Sequence, residues 1–131
     1  MVDPNQSVTP ATLAAFSDAF NRHDAAALME FMTPDCVFDA TVGNEIHGTR
    51  FVGREAVRAA FEGVWATFPD AHWGEGRHFV AGDRGVSEWV FTGTHKEGWR
   101  IEAEGCDLFA FRDGLIAVKR AFRKERPKQT A

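Results

Sequence analysis

The hydrophobic period of this chain changes near residue 71, and that change limits the folds open to it. Before residue 71, apart from a short strand and a loop between residues 36 and 52, apolar residues recur every three or four positions, as on one face of a helix. Beyond it they alternate with polar residues, and turn signals recur at Gly82-Asp83, Lys96-Glu97-Gly98 and Asp113-Gly114. Helices followed by closely spaced strands predict an α+β domain in which a curved antiparallel sheet wraps around the apolar faces of the helices.

Three helices are predicted before that change. The first begins at Thr9-Pro10, where a capping hydroxyl precedes a proline at the first helical position. Asp24 can cap a short second helix that includes Phe31 and Met32 and that Thr33-Pro34-Asp35 must end. The third helix begins near Gly53, and its apolar stripe stops at the proline that follows Phe68.

Length and charge limit the number of domains and the kinds of partner that this chain can have. The 131 residues fit one domain, 1–131, with disordered tails expected at 1–8 and 125–131. A net charge of −4 argues against a nucleic-acid partner. We expect a cytoplasmic protein with no membrane segment, because no apolar run approaches the roughly 20 residues of a membrane span. Cys36 and Cys106 have no metal-ligand spacing around them, so free thiols are expected.

Asp107 is the residue that conflicts with its surroundings. Alternation along 99–112 places it on the same face as Ala103, Phe109 and Phe111, which is the apolar face. A buried carboxylate needs a partner, or it stays protonated. Arg120 shares the apolar face of the last strand by the same alternation and is the candidate partner. In one interpretation the two residues form a structural ion pair. In the other, Asp107 serves a ligand cavity as a hydrogen-bond donor or proton shuttle.

Two further residues are candidates for proton transfer. Asp39 lies near the end of a strand predicted over 36–41, either as a solvated carboxylate or as the second acid of one cavity. His47 lies in the loop predicted over 43–52 and could close over that cavity. His72 and His78 share a strand face, but no third ligand accompanies them, so no metal and no cofactor are expected.

Aromatic residues are abundant, with 12 phenylalanines and 4 tryptophans, and tyrosine is absent. A sheet that curls around helices cannot fill its interior with all of them, so some should line a cavity for a small apolar molecule. The candidates for substrate binding are Phe16, Phe20, Phe61, Trp65, Trp89, Trp99, Phe109 and Phe122.

Four segments resemble the ketosteroid isomerase and SnoaL-like polyketide cyclase branch of the nuclear transport factor 2-like superfamily. The resemblance runs from about Leu13 to Lys124 and is strongest in segments 20–24, 35–38, 53–57 and 107–114. It implies a cone-shaped α+β barrel, with three N-terminal helices packed on the curved sheet and a deep pocket. It also implies a homodimer that pairs through the outer face of the sheet.

The resemblance assigns roles to single positions. Asp107 matches the aspartic acid that ketosteroid isomerases hold protonated in an oxyanion hole. Asp39 lies within one position of the isomerase base, although a gapless match places Ala40 there. Phe16 occupies the place of the oxyanion-hole tyrosine, and Ala121 that of the acid-base aspartate of the cyclases. Gly105 stands where related epoxide hydrolases carry an arginine.

Two functions remain open from the sequence. The first is a cofactor-independent acid-base enzyme, an isomerase, cyclase or related lyase or hydrolase, acting on a small apolar ligand that contains a carbonyl group. In it Asp107 would stabilise the enolate oxygen, and Asp39 or His47 would move the proton. The second is a non-catalytic module of the same fold that binds a small molecule or forms a dimer.

Overall fold

The computed structural model describes residues 7–130, which form three helices and seven strands. The helices are α1 (Pro10–Asn21), α2 (Ala25–Glu30) and α3 (Arg54–Thr67). The strands are β1 (Met32–Asp39), β2 (Arg50–Val52), β3 (His72–Ala81), β4 (Arg84–Thr94), β5 (Trp99–Arg112), β6 (Leu115–Arg123) and β7 (Gln129–Thr130). No helix among these residues is long and apolar enough to cross a membrane.

The two N-terminal helices begin as their capping residues predict. Thr9 and Thr12 form a reciprocal capping box at the start of α1, and Pro10 occupies its first position. The Asp24 carboxylate accepts a hydrogen bond from the Ala27 N–H at the start of α2. The second helix is shorter than predicted, because it ends at Glu30 and Met32 already belongs to β1. Leu13 is among the α1 residues buried against the sheet.

The strands form one curved, unclosed sheet with the order β2-β1-β6-β5-β4-β3, and β7 pairs with β5. Strands β3 to β6 make the antiparallel meander that the turn signals predict. The sheet is mixed, however, because β1 pairs with β6 in parallel and with β2 antiparallel. The last three residues of the loop predicted over 43–52 form β2, a short strand at the edge of the sheet. Helices on one face of this sheet give the α+β fold that the sequence indicates.

A bulge in β6 changes which side chains face the helices. Phe111 pairs with Ile116 while Ala110 pairs with Val118, so Ala117 is an extra residue in β6. Because an extra residue inverts the alternation, Lys119 is buried and Arg120 is exposed. The predicted inward position of Arg120 is wrong for this reason.

The two faces of the sheet have different surroundings. The inner face, which the helices cover, carries Trp89, Asp107, Phe109 and Lys119. The outer face has no covering element among residues 7–130, and it exposes Phe79 and Phe122 by 54% and 44%. The sheet therefore has one packed face and one partly apolar face open to its surroundings.

Residues of both predicted tails contact the domain within the described part of the chain. Val8 is buried in the main core cluster beside the helices. At the other end, Gln129 and Thr130 pair with Arg100 and Trp99. The first six residues of the predicted N-terminal tail, and residue 131, lie outside the described residues.

Candidate functional site

Asp107 is buried on the inner face, where its alternation placed it, with 6% of its surface exposed. Each of its two carboxylate oxygens accepts one hydrogen bond. Lys119 Nζ donates to Oδ1 over 2.9 Å, and Trp89 Nε1 donates to Oδ2 over 3.0 Å. The partner predicted from the sequence was Arg120, but Arg120 lies on the other face, so Lys119 forms the ion pair instead.

Lys119 lies in an aromatic cage. Its Nζ is 4.8 Å from the ring centre of Phe38, 5.1 Å from that of Phe20 and 5.6 Å from that of Phe61. Only 5% of the residue is exposed. Ring faces attract a cation, and the attraction grows when water is excluded. The three rings and Asp107 together hold a buried ammonium group.

The hydrogen bonds determine the role open to Asp107. An indole N–H is only a donor, and an ammonium group has no acceptor. Asp107 therefore acts as an acceptor at both oxygens, as an ionised carboxylate does. In both of these contacts Asp107 accepts, and neither shows it in the donor role that the resemblance to ketosteroid isomerases implies. The donor in this pair is Lys119.

Gly105 allows Trp89 to reach Asp107. The two residues are cross-strand partners, and a Cβ at position 105 would lie 2.4 Å from Trp89 Cη2. The indole ring therefore lies directly over the glycine, which keeps its N–H aimed at the carboxylate two residues along β5. A glycine inside a strand often marks such a close approach.

Two cavities meet at this ion pair. The inner one, of about 20 Å³, is lined by Phe16, Ser17, Asp107, Phe109 and other residues of α1 and the sheet. The larger one, of about 320 Å³, extends toward α3 and the 40–42 segment. Phe20, Trp73, Trp89 and Lys119 line both cavities. The ion pair thus forms the polar inner end of a mainly apolar pocket.

The aromatic residues predicted to bind substrate divide into three groups. Phe16, Phe20, Trp89 and Phe109 line the cavities. Three others lie outside the cavities. Phe61 is fully buried behind them. Trp65 packs on Phe20 and His23, and Trp99 packs on Phe68 and His95. Phe122 lies on the outer face, where Arg120 stacks on its ring at 5.3 Å. The bulge in β6 explains this misplacement as well.

Asp39 belongs to a separate polar cluster on the outer face. Arg50 donates to both of its carboxylate oxygens over 2.8 and 3.0 Å, and Arg120 is its cross-strand neighbour. The hydrogen bonds from Arg50 hold the pKa of Asp39 below its usual value. His47 Nδ1 lies 2.9 Å from the carbonyl oxygen of Gly48 in the adjoining loop. None of these side chains lines the cavities, so Asp39 and Asp107 do not form the pair that the sequence suggested.

A histidine and a serine lie beside the ion pair. Ser87 is the cross-strand partner of Asp107 and lines the inner cavity. His78 Nδ1 is 2.8 Å from Ser87 Oγ. Burial lowers the pKa of His78, and the nearby Asp107 partly opposes that effect. The described residues contain no group of His, Cys, Asp or Glu side chains that could hold a metal ion.

Comparison with known proteins identifies the family. Residues 13–119 match the model of the SnoaL-like domain. The chain belongs to the SnoaL-like family. The matched segment includes Asp107 and ends at Lys119, so both members of the ion pair lie inside it. Among curated proteins, none matches this sequence.

Solved structures show the same fold for this SnoaL-like domain. A nuclear transport factor 2-like protein of unknown function from Mesorhizobium loti is 31% identical over 86% of this chain and 88% of its own, with a TM-score of 0.71. A Xanthomonas campestris protein with the provisional name polyketide cyclase is 23% identical, with a TM-score of 0.74 and coverage of 86% and 87%. A hypothetical protein from Catenulispora acidiphila, with a ketosteroid isomerase-like fold and in complex with trimethylamine, is 22% identical, with a TM-score of 0.74 and coverage of 88% and 86%.

Sequence reasoning missed Lys119, Arg123 and Trp73, which line the cavities of this SnoaL-like domain. Lys119 and Arg123 were missed because the bulge at Ala117 inverts the alternation of β6. The sequence did contain one signal for Lys119, because a buried Asp107 requires a cation and Lys119 is adjacent to Arg120. Lys119 would have been included if both possible alternations of side chains along β6 had been considered.

Proposed function

We propose that this SnoaL-like domain is a cofactor-independent enzyme that moves a proton on a small apolar ligand containing a carbonyl group. The observation that carries the proposal is the buried ion pair between Lys119 and Asp107 at the inner end of a cavity of about 320 Å³. Perturbed or paired acids and bases inside an apolar pocket are typical of active sites.

In the proposed reaction the two residues have opposite roles. The Lys119 ammonium donates a hydrogen bond to the carbonyl oxygen of the ligand. The Asp107 carboxylate removes a proton from the carbon next to that carbonyl, and the C–H electron pair forms the enolate double bond as the carbonyl π electrons move to oxygen. Asp107 can then return the proton to another carbon, which gives isomerisation. Alternatively, the enolate carbon attacks a second carbonyl carbon of the same ligand, which gives cyclisation. The new C–C bond restores the first carbonyl, the π electrons of the second carbonyl move to its oxygen, and Asp107 returns the proton to that oxygen.

Charge balance supports this division of roles. Before proton transfer, Lys119 is paired with the Asp107 carboxylate; after it, Asp107 is neutral and the negative charge lies on the enolate oxygen. The number of buried charges stays constant, so no new charge has to be desolvated. A hydrogen-bond donor placed at a developing oxyanion commonly lowers the activation barrier by roughly 3 kcal/mol.

This assignment also accounts for two positions that differ from the related enzymes. Phe16 lines the inner cavity and has no hydrogen-bonding group, and Ala121 lines the larger cavity. By resemblance these are places of a tyrosine donor and an aspartate. Lys119 supplies the missing donor, and Asp107 supplies the base.

A non-catalytic binding module is the second candidate, and one observation favours it. Asp107 is the single carboxylate that lines either of the two cavities among the described residues, and two donors already engage it. Both oxygens of this carboxylate are therefore already occupied. The pocket could therefore bind a carbonyl compound through Lys119 without reaction.

Hydrogen-deuterium exchange at carbon separates these candidates without knowledge of the full reaction. Cyclic ketones and enones are incubated with the protein in D₂O, and loss of the α-proton signal is followed by NMR. The enzyme catalyses exchange, and both Asp107→Asn and Lys119→Met lower its rate by roughly 10²-fold or more. Arg120→Met, on the outer face, serves as the matched control and keeps the rate. Ligand binding without exchange would identify a binding module.

We also propose that the chain forms a homodimer through the outer face of the sheet. Exposed Phe79 and Phe122 on that face support the proposal, as does the pairing that the family resemblance implies. A second copy would cover both rings. Light scattering after gel filtration tests this, and a Phe79→Glu, Phe122→Glu double variant should then elute as a monomer; a wild-type monomer at high concentration would contradict the proposal.

A further inference from the structure

Arg123 is a half-buried cation in the larger cavity. Its guanidinium lies 4.9 Å from the ring centre of Phe91 and lines the cavity together with Lys119. Among the described residues, no carboxylate pairs with it and no acceptor receives a hydrogen bond from its side chain. Burial lowers the pKa of Arg123, and no neighbouring carboxylate opposes that effect.

The carboxylates nearest to Arg123 do not act as its ion-pair partners. Arg123 also borders a wide groove that contains Glu75, Glu88 and Glu104. None of these three carboxylates forms an ion pair with Arg123. A guanidinium has five N–H donors in a planar fork that matches an oxyanion, so leaving all of them without a protein acceptor is unusual at a half-buried position.

The charges of the two cavities do not cancel. The ionisable side chains that line them are Asp107, Lys119 and Arg123, so a single negative charge faces two positive ones. Asp107 is already bound to Lys119. A neutral apolar ligand would leave the Arg123 charge uncompensated in a mainly apolar cavity, which is costly.

We propose that the ligand of this cavity is an apolar carbonyl compound with an anionic oxyacid group, such as a carboxylate, and that Arg123 binds that group. The inference deepens the proposed function and rests on the same cavity. Lys119 and Arg123 are four residues apart on β6, so their backbones are about 13 Å apart. The ligand therefore has its anionic group at one end and its reactive carbonyl at the Lys119 end, with an apolar body between them.

A pair of fluorescent probes tests this charge preference. 8-Anilinonaphthalene-1-sulfonate and N-phenyl-1-naphthylamine share one aromatic frame, and only the first carries an oxyanion. We expect the anionic probe to bind the wild-type protein at least about tenfold more tightly, because hydrogen bonds to charged groups contribute that much. Arg123→Met should remove this difference and leave the affinity for the neutral probe within about twofold.

Two further variants make the result specific to Arg123. Arg123→Lys keeps the charge and should retain most of the preference for the anionic probe. Arg120→Met removes the neighbouring arginine of the outer face and should change neither affinity. If Arg120→Met abolishes the preference, the anion binds outside the cavity and the inference is overturned.

The outcomes distinguish this inference from the proposed function. Equal affinities for the two probes, unchanged in Arg123→Met, would overturn the inference and leave the cavity as a site for neutral ligands. Absence of binding by either probe would overturn the inference, and the exchange assay would then decide the proposed function by itself. An Arg123-dependent preference in a protein that catalyses no α-proton exchange would support the inference and contradict the enzyme. Thermal unfolding of Arg123→Met ensures that each comparison uses folded protein.

Discussion

Lys119 and Asp107 bind each other across neighbouring strands at a distance of 2.9 Å, with side chains that are 6% and 9% exposed. A buried pair of this kind costs desolvation energy and often adds little net stability. Hydrophobic residues of similar size could fill the same space. The small net stability expected of the pair agrees with the role proposed for it in the cavity.

Removing one member of the pair should be much more damaging than removing both. Lys119→Met leaves the Asp107 carboxylate buried with one donor, and we expect the free energy of unfolding to fall by about 3–5 kcal/mol. The double variant Lys119→Met, Asp107→Leu should recover most of that loss. Urea unfolding followed by circular dichroism measures both. A single variant that loses less than about 1 kcal/mol would mean that Asp107 escapes to solvent or stays protonated.

The hydrogen bond from Trp89 to Asp107 can be measured against an internal control. Trp89→Phe removes the Nε1 donor. We expect its free energy of unfolding to fall by about 1.5–3 kcal/mol more than the loss of indole packing alone would cause. Trp65→Phe removes the same atoms from an indole whose buried Nε1 has no acceptor among the described residues. The difference between the two free energies of unfolding isolates the hydrogen bond. Equal losses would mean that the contact with Asp107 contributes nothing.

Gly105 should resist substitution because its missing side chain makes room for the Trp89 ring. A methyl group at position 105 would overlap the indole and the carbonyl oxygen of Phe122, each 2.4 Å away. We expect Gly105→Ala to lower the free energy of unfolding by about 1–3 kcal/mol and to move Trp89 away from Asp107. Unfolding curves and the near-ultraviolet circular dichroism of the tryptophans would report both effects. Gly63→Ala is the control, because its added Cβ meets no atom within 4 Å other than those of its own helix turns.

The sequence predicted the fold well because its strongest signals are local. The capping threonine and proline at Thr9-Pro10, the apolar stripe of α3 and the glycine turns each act over a few residues. The parallel pairing of β1 with β6 joins residues about 80 positions apart, and no local pattern encodes it. Prediction from the sequence therefore missed the mixed character of the sheet.

The site was predicted in part, for a related reason. Alternation located Asp107 correctly, because β5 is regular up to Ala110. In β6 the extra residue at Ala117 reverses the alternation, which exchanges Lys119 with Arg120 and brings Arg123 inside. Bulges depend on tertiary strain and have weak sequence signals. The sequence left open whether Asp39 was a second acid of the cavity, because its partner, Arg50, lies on an edge strand within the segment predicted to be a loop.

Asp39 should stabilise the fold without taking part in the chemistry. Its pKa is lowered first by the hydrogen bonds from Arg50, so its contribution is present above the unfolded pKa of about 3.9 and is lost as pH falls through the lower folded pKa. Asp39→Asn should therefore be less stable than wild type at neutral pH, and the two should converge in acid. α-Proton exchange should be unchanged. A loss of exchange with stability intact would instead place Asp39 in the mechanism.

His78 should make the fold sensitive to mild acid. Burial is the main cause that lowers its folded pKa, so the unfolded chain takes up a proton first, near pH 6.5. Stability conferred by the neutral imidazole is then complete above that pH and declines as pH falls toward the folded pKa, because protonation favours unfolding. His78→Gln should remove this part of the decline between about pH 7 and 5. Urea unfolding across that range tests it, and an NMR titration of the His78 ring should show a midpoint below that of a free histidine. A midpoint above it would mean that attraction by Asp107 outweighs burial and would reverse the sign of the pH dependence.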